Sequence, residues 1–133
     1  MGAYVASEVV KLLINRNCPV KGARVLVLGI TFKENCPDIR NSRVIDIIRE
    51  LQEYGCVVDV ADPWASGSEV KHEYGLPVIT DIGAVEQGAY QAVVAAVGHK
   101  EFAGVNPREW VAVGGVVYDV TGMYQRSIVD GRL

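Results

Sequence analysis

Arg24-Val25-Leu26-Val27-Leu28-Gly29 and Cys56-Val57-Val58-Asp59-Val60-Ala61-Asp62-Pro63, with a helical pattern between them, decide the fold of this chain. The first segment is apolar at every position after Arg24 rather than at every second one. That is the pattern of a strand covered on both faces, and Gly29 ends it in a turn. The second is a strand stopped by Pro63, which has no N–H to give to a ladder. Between them Val44, Ile45, Ile48 and Leu51 form one apolar helix stripe. Asn41 or Ser42 is placed to cap its start, and Gly55 follows its end at Tyr54. Strand, helix, strand is a βαβ unit, whose crossover is right-handed.

Upstream, Val5, Val9, Leu12 and Leu13 repeat at helical spacing, so residues 3 to 16 read as a lead-in helix ended by Asn17-Cys18-Pro19 and Gly22. Residues 1–21 are then helix end and connector, and residues 22–133 the domain proper. Downstream, shorter signals predict a helix around Glu69 to Tyr74, a strand at Pro77 to Thr80 and a helix from Asp81 to about Gly88. Gln91 to Val97 is a buried strand. Asn106-Pro107-Arg108-Glu109 carries an N-cap, Pro at N1 and Glu at N3, predicting a helix through about Val113 closed by Gly114-Gly115. Gly115 to Val120 is the last strand and Thr121 to Leu133 a tail. Five strands alternating with helices give an α/β, doubly wound parallel sheet of order 3-2-1-4-5.

The chain has 133 residues, half of them hydrophobic and 22% charged, which suits one globular core and excludes wholesale disorder. A net charge of -3 supplies no positive field for nucleic acid or an anionic membrane surface. The longest apolar run is far below the roughly 20 residues of a membrane span, and no signal-peptide pattern opens the chain, so a cytoplasmic protein is expected. Cys18, Cys36 and Cys56 fit neither a disulfide framework nor a zinc spacing.

Ligands of open parallel sheets sit beyond the carboxyl ends of the strands where the order reverses, here between the first and fourth. The loops there are Ile30 to Arg40, Pro63 to Ser68, Gly98 to Phe102 and Thr121 to Arg126, and their polar residues favour a polar or anionic ligand. The first loop fails as a dinucleotide fingerprint: Gly29 stands alone, and the turn is too long to bring a helix N-terminus against a pyrophosphate. Its two cations, Lys33 and Arg40, have a bland reading as a solvated lysine and an arginine paired with Asp38. The sharper reading is a pair of groups for phosphates or carboxylates, with Asp38 as an internal brace. Cys36 lies near cations but has no histidine neighbour in sequence, so loop shape outweighs a catalytic thiol. His99 reads either as a ligand contact or as a hydrogen-bonding loop residue, and His72 as surface. Asp59, Asp62 and Asp119 evoke a metal or phospho-acceptor pocket, but no acidic pair ends the first strand. No catalytic or metal-ligating residue is assigned.

Gly29-Ile30-Thr31-Phe32-Lys33-Glu34-Asn35-Cys36-Pro37-Asp38-Ile39-Arg40-Asn41-Ser42 resembles the Gly-x-x-Phe-Lys-x-x-(Thr/Cys)-x-Asp-x-Arg-x-Ser/Thr motif of the UDP-glucose/GDP-mannose dehydrogenase family. Asp62-Pro63, the turn Gly98-His99-Lys100-Glu101-Phe102 and Tyr118-Asp119 fall where that family has comparable elements. Met1-Gly2-Ala3-Tyr4-Val5-Ala6 resembles the end of its central helix. The resemblance covers nearly the whole chain and is nearest to the branch acting on UDP-N-acetylhexosamines. It implies the C-terminal, UDP-sugar-binding domain of an enzyme of polysaccharide biosynthesis. Such enzymes use NAD to oxidise a sugar C6 alcohol to a carboxylate through a thiohemiacetal and a thioester. NAD and the catalytic cysteine, in a Gly-x-Cys context absent here, would belong to the rest of the dehydrogenase chain, leaving this one inert alone.

By the same resemblance Phe32 and Lys33 contact the nucleotide-sugar and Arg40 reaches toward the cofactor. The lead-in helix would join domains and subunits through its apolar stripe in a homodimer or higher oligomer. One departure is the lack of a basic residue after Asp119, for which Arg126 is a possible substitute. A UDP-glucose 6-dehydrogenase domain and a free-standing nucleotide-binding or regulatory module are the alternatives.

Overall fold

The computed structural model describes residues 2–133; Met1, the first residue of the N-terminal segment quoted above, lies outside the described residues. The elements run α1 (Gly2–Asn15), β1 (Arg24–Leu28), α2 (Val44–Glu53), β2 (Val57–Ala61), α3 (Gly67–Tyr74), β3 (Val78–Ile79), β4 (Tyr90–Ala95), α4 (Lys100–Ala103), β5 (Val111–Asp119) and β6 (Gly131–Arg132). The strands form one parallel sheet of order β3-β2-β1-β4-β5-β6.

The apolar run of β1 behaves as its composition requires. Val25 and Val27 enter a core shared with α1 and α2, while Leu26 and Leu28 enter a second core under Phe102, Trp110 and Tyr124. All four are completely buried. Each such side chain contributes about 1.5–3 kcal/mol by leaving water, so the central strand anchors both layers.

Val5, Val9 and Leu13 of α1 are also completely buried, in the core that α2 and the sheet complete. The stripe expected to mediate self-association is therefore spent within this chain. The large apolar side chains that α1 leaves exposed are Tyr4 and Ile14.

Three local expectations are corrected. The sheet has six strands, not five, because the tail returns to pair Tyr118 with Gly131 and Asp119 with Arg132. Asp130 holds it there: it receives hydrogen bonds from Arg16 at 2.6 Å, Arg108 at 2.7 Å and the Val117 N–H at 2.8 Å. A two-residue strand leaves no periodicity to read. The helix expected from Asp81 is a 3₁₀ turn, Ile82–Ala84, because Val85 turns back to extended backbone and is buried. The helix expected after Asn106 is likewise a 3₁₀ turn, Pro107–Glu109. Its cap and proline are as read, but the β-branched residues beyond Trp110 join β5. Gly114, at φ +80, then lies within a bulge of β5 rather than ending a helix. At the start of α2 Asn41 is left-handed, and Ser42, one of the two residues expected to cap the helix, accepts from the Val44 N–H at 3.3 Å just before the helical Arg43.

Gly29 sets the start of the first loop. Its φ is +95, and a Cβ there would stand 2.5 Å from Cβ of Val97, so neither the conformation nor the space admits a side chain. Gly29→Ala is expected to cost about 1–3 kcal/mol through overpacking and backbone strain. The check is a lower urea midpoint at unchanged slope.

Candidate functional site

Four loops leave the carboxyl ends of β1, β2, β4 and β5 side by side, and two buried carboxylates tie them down. Asp62, directly after β2, is completely buried. Its Oδ2 accepts from the Ile30 N–H at 2.7 Å, the Thr31 N–H at 3.2 Å and His99 Nε2 at 3.0 Å. Its Oδ1 accepts from the N–H groups of Trp64 at 2.7 Å and Ala65 at 3.0 Å. One side chain thus joins the loops after β1, β2 and β4. Burial by itself would raise the Asp62 pKa, but the His99 hydrogen bond and the N–H groups of Ile30 and Trp64 reverse this and hold the carboxyl below its ordinary range.

Asp119, at the end of β5, does the same for its own loop. It accepts from the N–H groups of Thr121, Gly122 and Tyr124 and from the Thr121 hydroxyl. The Tyr124 hydroxyl then donates to the Phe102 carbonyl at 2.9 Å, crossing to the loop after β4. Burial pushes that hydroxyl pKa upward, so it stays protonated and donating.

Between these ties lies a cavity of about 450 Å³ lined by Phe32, Lys33, Glu34, Val97, Thr121 and Met123, with Ala96 and Gly98 completing its wall. It sits where the order reverses between β1 and β4. Phe32 is 56% exposed, although it is a large apolar ring, and Lys33 is an exposed cation in no ion pair among the described residues. An apolar surface beside a free ammonium suits a ligand with a flat or apolar part and a phosphate.

Arg40 is not at that cavity. With Cys36, Asp38, Trp64 and Glu69 it lines a separate, more open groove of about 460 Å³. Its guanidinium grips Asp38 through Nε at 3.0 Å and Nη2 at 3.1 Å, and its backbone N–H donates to the same carboxylate at 2.9 Å. These bonds hold the Asp38 carboxyl below the usual range. The brace expected of Asp38 is present, and the Arg40 side chain remains 83% exposed. The structure therefore parts the loop's two cations between separate cavities.

The remaining candidates fall elsewhere. Cys36 is half-buried with no hydrogen-bond partner described for its thiol, Cys18 lies in the connector, and Cys56 is buried, its pKa raised by burial. His72 is exposed on α3. Asp59 binds the Tyr90 hydroxyl at 2.6 Å, away from Asp62 and Asp119, whose oxygens are occupied by N–H and hydroxyl donors. No group of three potential metal ligands occurs among the described residues. Arg126 is exposed and outside the cavity wall, whereas the Arg132 guanidinium, carried in by β6, rests against Gly122 in the loop after Asp119. No helix among the described residues is long and apolar enough to cross a membrane.

Sequence reasoning missed the joining role of Asp62 and His99 and the contribution of Thr121 and Met123 to the cavity. Asp62-Pro63 at a strand end was the available signal for the first, and position in a switch-point loop for the rest.

Comparison with known proteins identifies relatives over the whole chain. The sequence model described as "UDP-glucose/GDP-mannose dehydrogenase family, UDP binding domain" matches residues 26–126. Over the whole chain, the sequence is 47% identical to the UDP-N-acetyl-D-glucosamine 6-dehydrogenase of Pseudomonas aeruginosa and 41% identical to that of Salmonella typhi. The chain spans 32% and 31% of those two relatives, about a third of their length. Among solved structures, the NDP-N-acetyl-D-galactosaminuronic acid dehydrogenase of Methanosarcina mazei superposes with a TM-score of 0.79 at 21% identity. That match covers 94% of this chain and 26% of the other, and shows the shared fold.

Proposed function

The chain belongs to the UDP-glucose/GDP-mannose dehydrogenase family as its UDP-binding domain, and from that premise we propose that it holds the nucleotide-sugar in an NAD-dependent UDP-N-acetylhexosamine 6-dehydrogenase of polysaccharide biosynthesis. In this reading residues 22–133 are the C-terminal nucleotide-sugar domain and residues 1–21 the end of a central helix and its connector. The protein works in the cytoplasm, a reading that three free cysteines suit, and assembles as a homodimer or higher oligomer.

The observation that carries the proposal is the switch-point cavity with Phe32 and Lys33 at its mouth. Lys33 supplies positive charge to the substrate's phosphates or sugar, and Phe32 covers an apolar face. Both are substrate-binding residues rather than catalytic ones. Arg40, which lines the separate groove, is assigned to the cofactor carried by the rest of the protein.

NAD does not fit this chain as a dinucleotide fold would hold it. Residues 29 to 43 separate β1 from α2, so no helix N-terminus closes on a pyrophosphate behind a glycine-rich turn. The contribution of these residues is to bind and orient the nucleotide-sugar while hydride transfer belongs to the cofactor's own site.

Calorimetric titration of this chain tests the proposal. UDP and UDP-N-acetylglucosamine are expected to bind, NAD to bind negligibly, and no NAD reduction to follow on mixing with UDP-sugar. Absence of UDP binding, or turnover by the chain alone, overturns it.

A further inference from the structure

His99 is completely buried, engages both ring nitrogens, and touches neither cavity. The Asn35 backbone N–H donates to Nδ1 at 2.9 Å, so Nδ1 carries a lone pair and the ring proton sits on Nε2. Nε2 lies 3.0 Å from Asp62 Oδ2, which as a carboxylate can only accept, and 3.1 Å from Thr31 Oγ1. Thr31 gives its own proton to the Lys33 carbonyl at 3.0 Å, which leaves its oxygen free to accept. The hydrogen bonds at the junction thus define one tautomer, with the ring proton on Nε2.

The consequence falls on the loop that carries Phe32 and Lys33. The Phe32 N–H is tied to the Asp38 carbonyl at 2.7 Å and the Lys33 carbonyl to Thr31. Two residues on, Asn35 is tied through its N–H to His99 and through Oδ1 to the Lys100 N–H at 2.9 Å. Asn35 stands at φ +53, a left-handed conformation that asparagine tolerates but that has to be held. Trp64 stacks at 6.1 Å and Phe102 tilts at 5.6 Å from the imidazole, covering the ring that makes the tie. The side chains of Phe32 and Lys33 are free, while the backbone that aims them is pinned on both sides.

We propose that His99 is a positioning residue for the nucleotide-sugar: fixed by Asp62 as the Nε2–H tautomer, it holds the Asn35 N–H and thereby sets where Phe32 and Lys33 meet the ligand. The proposal deepens the reading of the cavity as the UDP-sugar site and rests on it. His99 reaches no ligand itself and acts through Asn35.

Two near-isosteric variants separate its two nitrogens. A glutamine amide reaches the place of Nε2 and keeps a donor for Asp62 but offers no acceptor to Asn35. An asparagine places its carbonyl near Nδ1 and keeps that acceptor but loses the donor to Asp62. In this chain, titrated with UDP, His99→Gln is expected to weaken binding by about tenfold or more with a nearly unchanged melting temperature. Amide exchange at Asn35 should quicken in the same variant. His99→Asn is expected to melt lower yet bind UDP nearly as wild type does.

Affinity that simply follows melting temperature through both variants makes His99 a packing residue and overturns the proposal. Should neither variant fold, the wild-type imidazole decides: ring ¹⁵N shifts of an Nε2–H tautomer with a protected Asn35 amide support it, and an Nδ1–H or doubly protonated ring overturns it. Wild-type chain that fails to bind UDP overturns the reading of the cavity, and this proposal with it. Wild-type binding with unaffected His99→Gln overturns the positioning role alone.

Discussion

Asp62→Ala is expected to destabilise the domain by about 3–5 kcal/mol, the cost of removing one partner from a buried, hydrogen-bonded charge site. The deletion strands the N–H groups of Ile30, Thr31, Trp64 and Ala65 together with Nε2 of His99, all converging on a carboxylate without solvent access. Asp62→Asn keeps one accepting oxygen but turns an amide N–H₂ toward backbone donors, so an intermediate loss is expected. Urea denaturation at neutral pH, with the slope unchanged, is the check. A loss near that of an ordinary surface substitution would show that the loops are held by something else.

The same carboxyl gives stability an acid limb. Its pKa is lowered in the folded state, so its contribution is fully present above the ordinary aspartate value of about 4 and is lost as pH falls through the lower native one. That part of the acid limb should disappear in Asp62→Asn.

Lys33→Ala is expected to weaken UDP binding by about 10- to 150-fold, the worth of one charge-assisted hydrogen bond, while leaving the thermal melt where it is. Lys33 is exposed and in no ion pair among the described residues, so the fold loses nothing with it. Arg40→Ala serves as the internal comparison. Its ion pair with Asp38 is open to solvent and screened, so the melt is expected to hold, and UDP affinity with it, because Arg40 stands at the other groove. On the proposed role of Arg40, the expected effect is instead a raised apparent KM for NAD in the full-length protein. Calorimetric titration of UDP with each variant, beside the melts, is the measurement. Unchanged UDP affinity in Lys33→Ala removes the loop from the substrate site.

Some of this was written in local pattern. The all-apolar run of Val25 to Leu28 requires cover on both faces, and the helical stripe from Val44 to Leu51 followed by a second strand leaves a right-handed βαβ unit as the natural arrangement. Strand order then follows, and with it the switch-point loop that holds Phe32, Lys33 and Arg40. Where a pattern was short, competing interactions won. Asn106 and Pro107 start a helical turn as their chemistry dictates, yet Val111 and Val113 are β-branched and the open edge of β4 offers a ladder, so the segment becomes strand.

Burial periodicity and capping chemistry are properties of a few neighbouring residues, and the sequence by itself therefore determined the doubly wound sheet and the loops in which a ligand would sit. Tertiary structure alone decided the rest. It spent the apolar stripe of α1 inside the chain's own core, added β6 through Asp130, sent Lys33 and Arg40 to separate cavities, and joined Asp62 to Asn35 through His99. Those pairings link residues far apart in sequence. A buried carboxylate or imidazole must find its partners wherever folding places them, and no local pattern records which ones they will be.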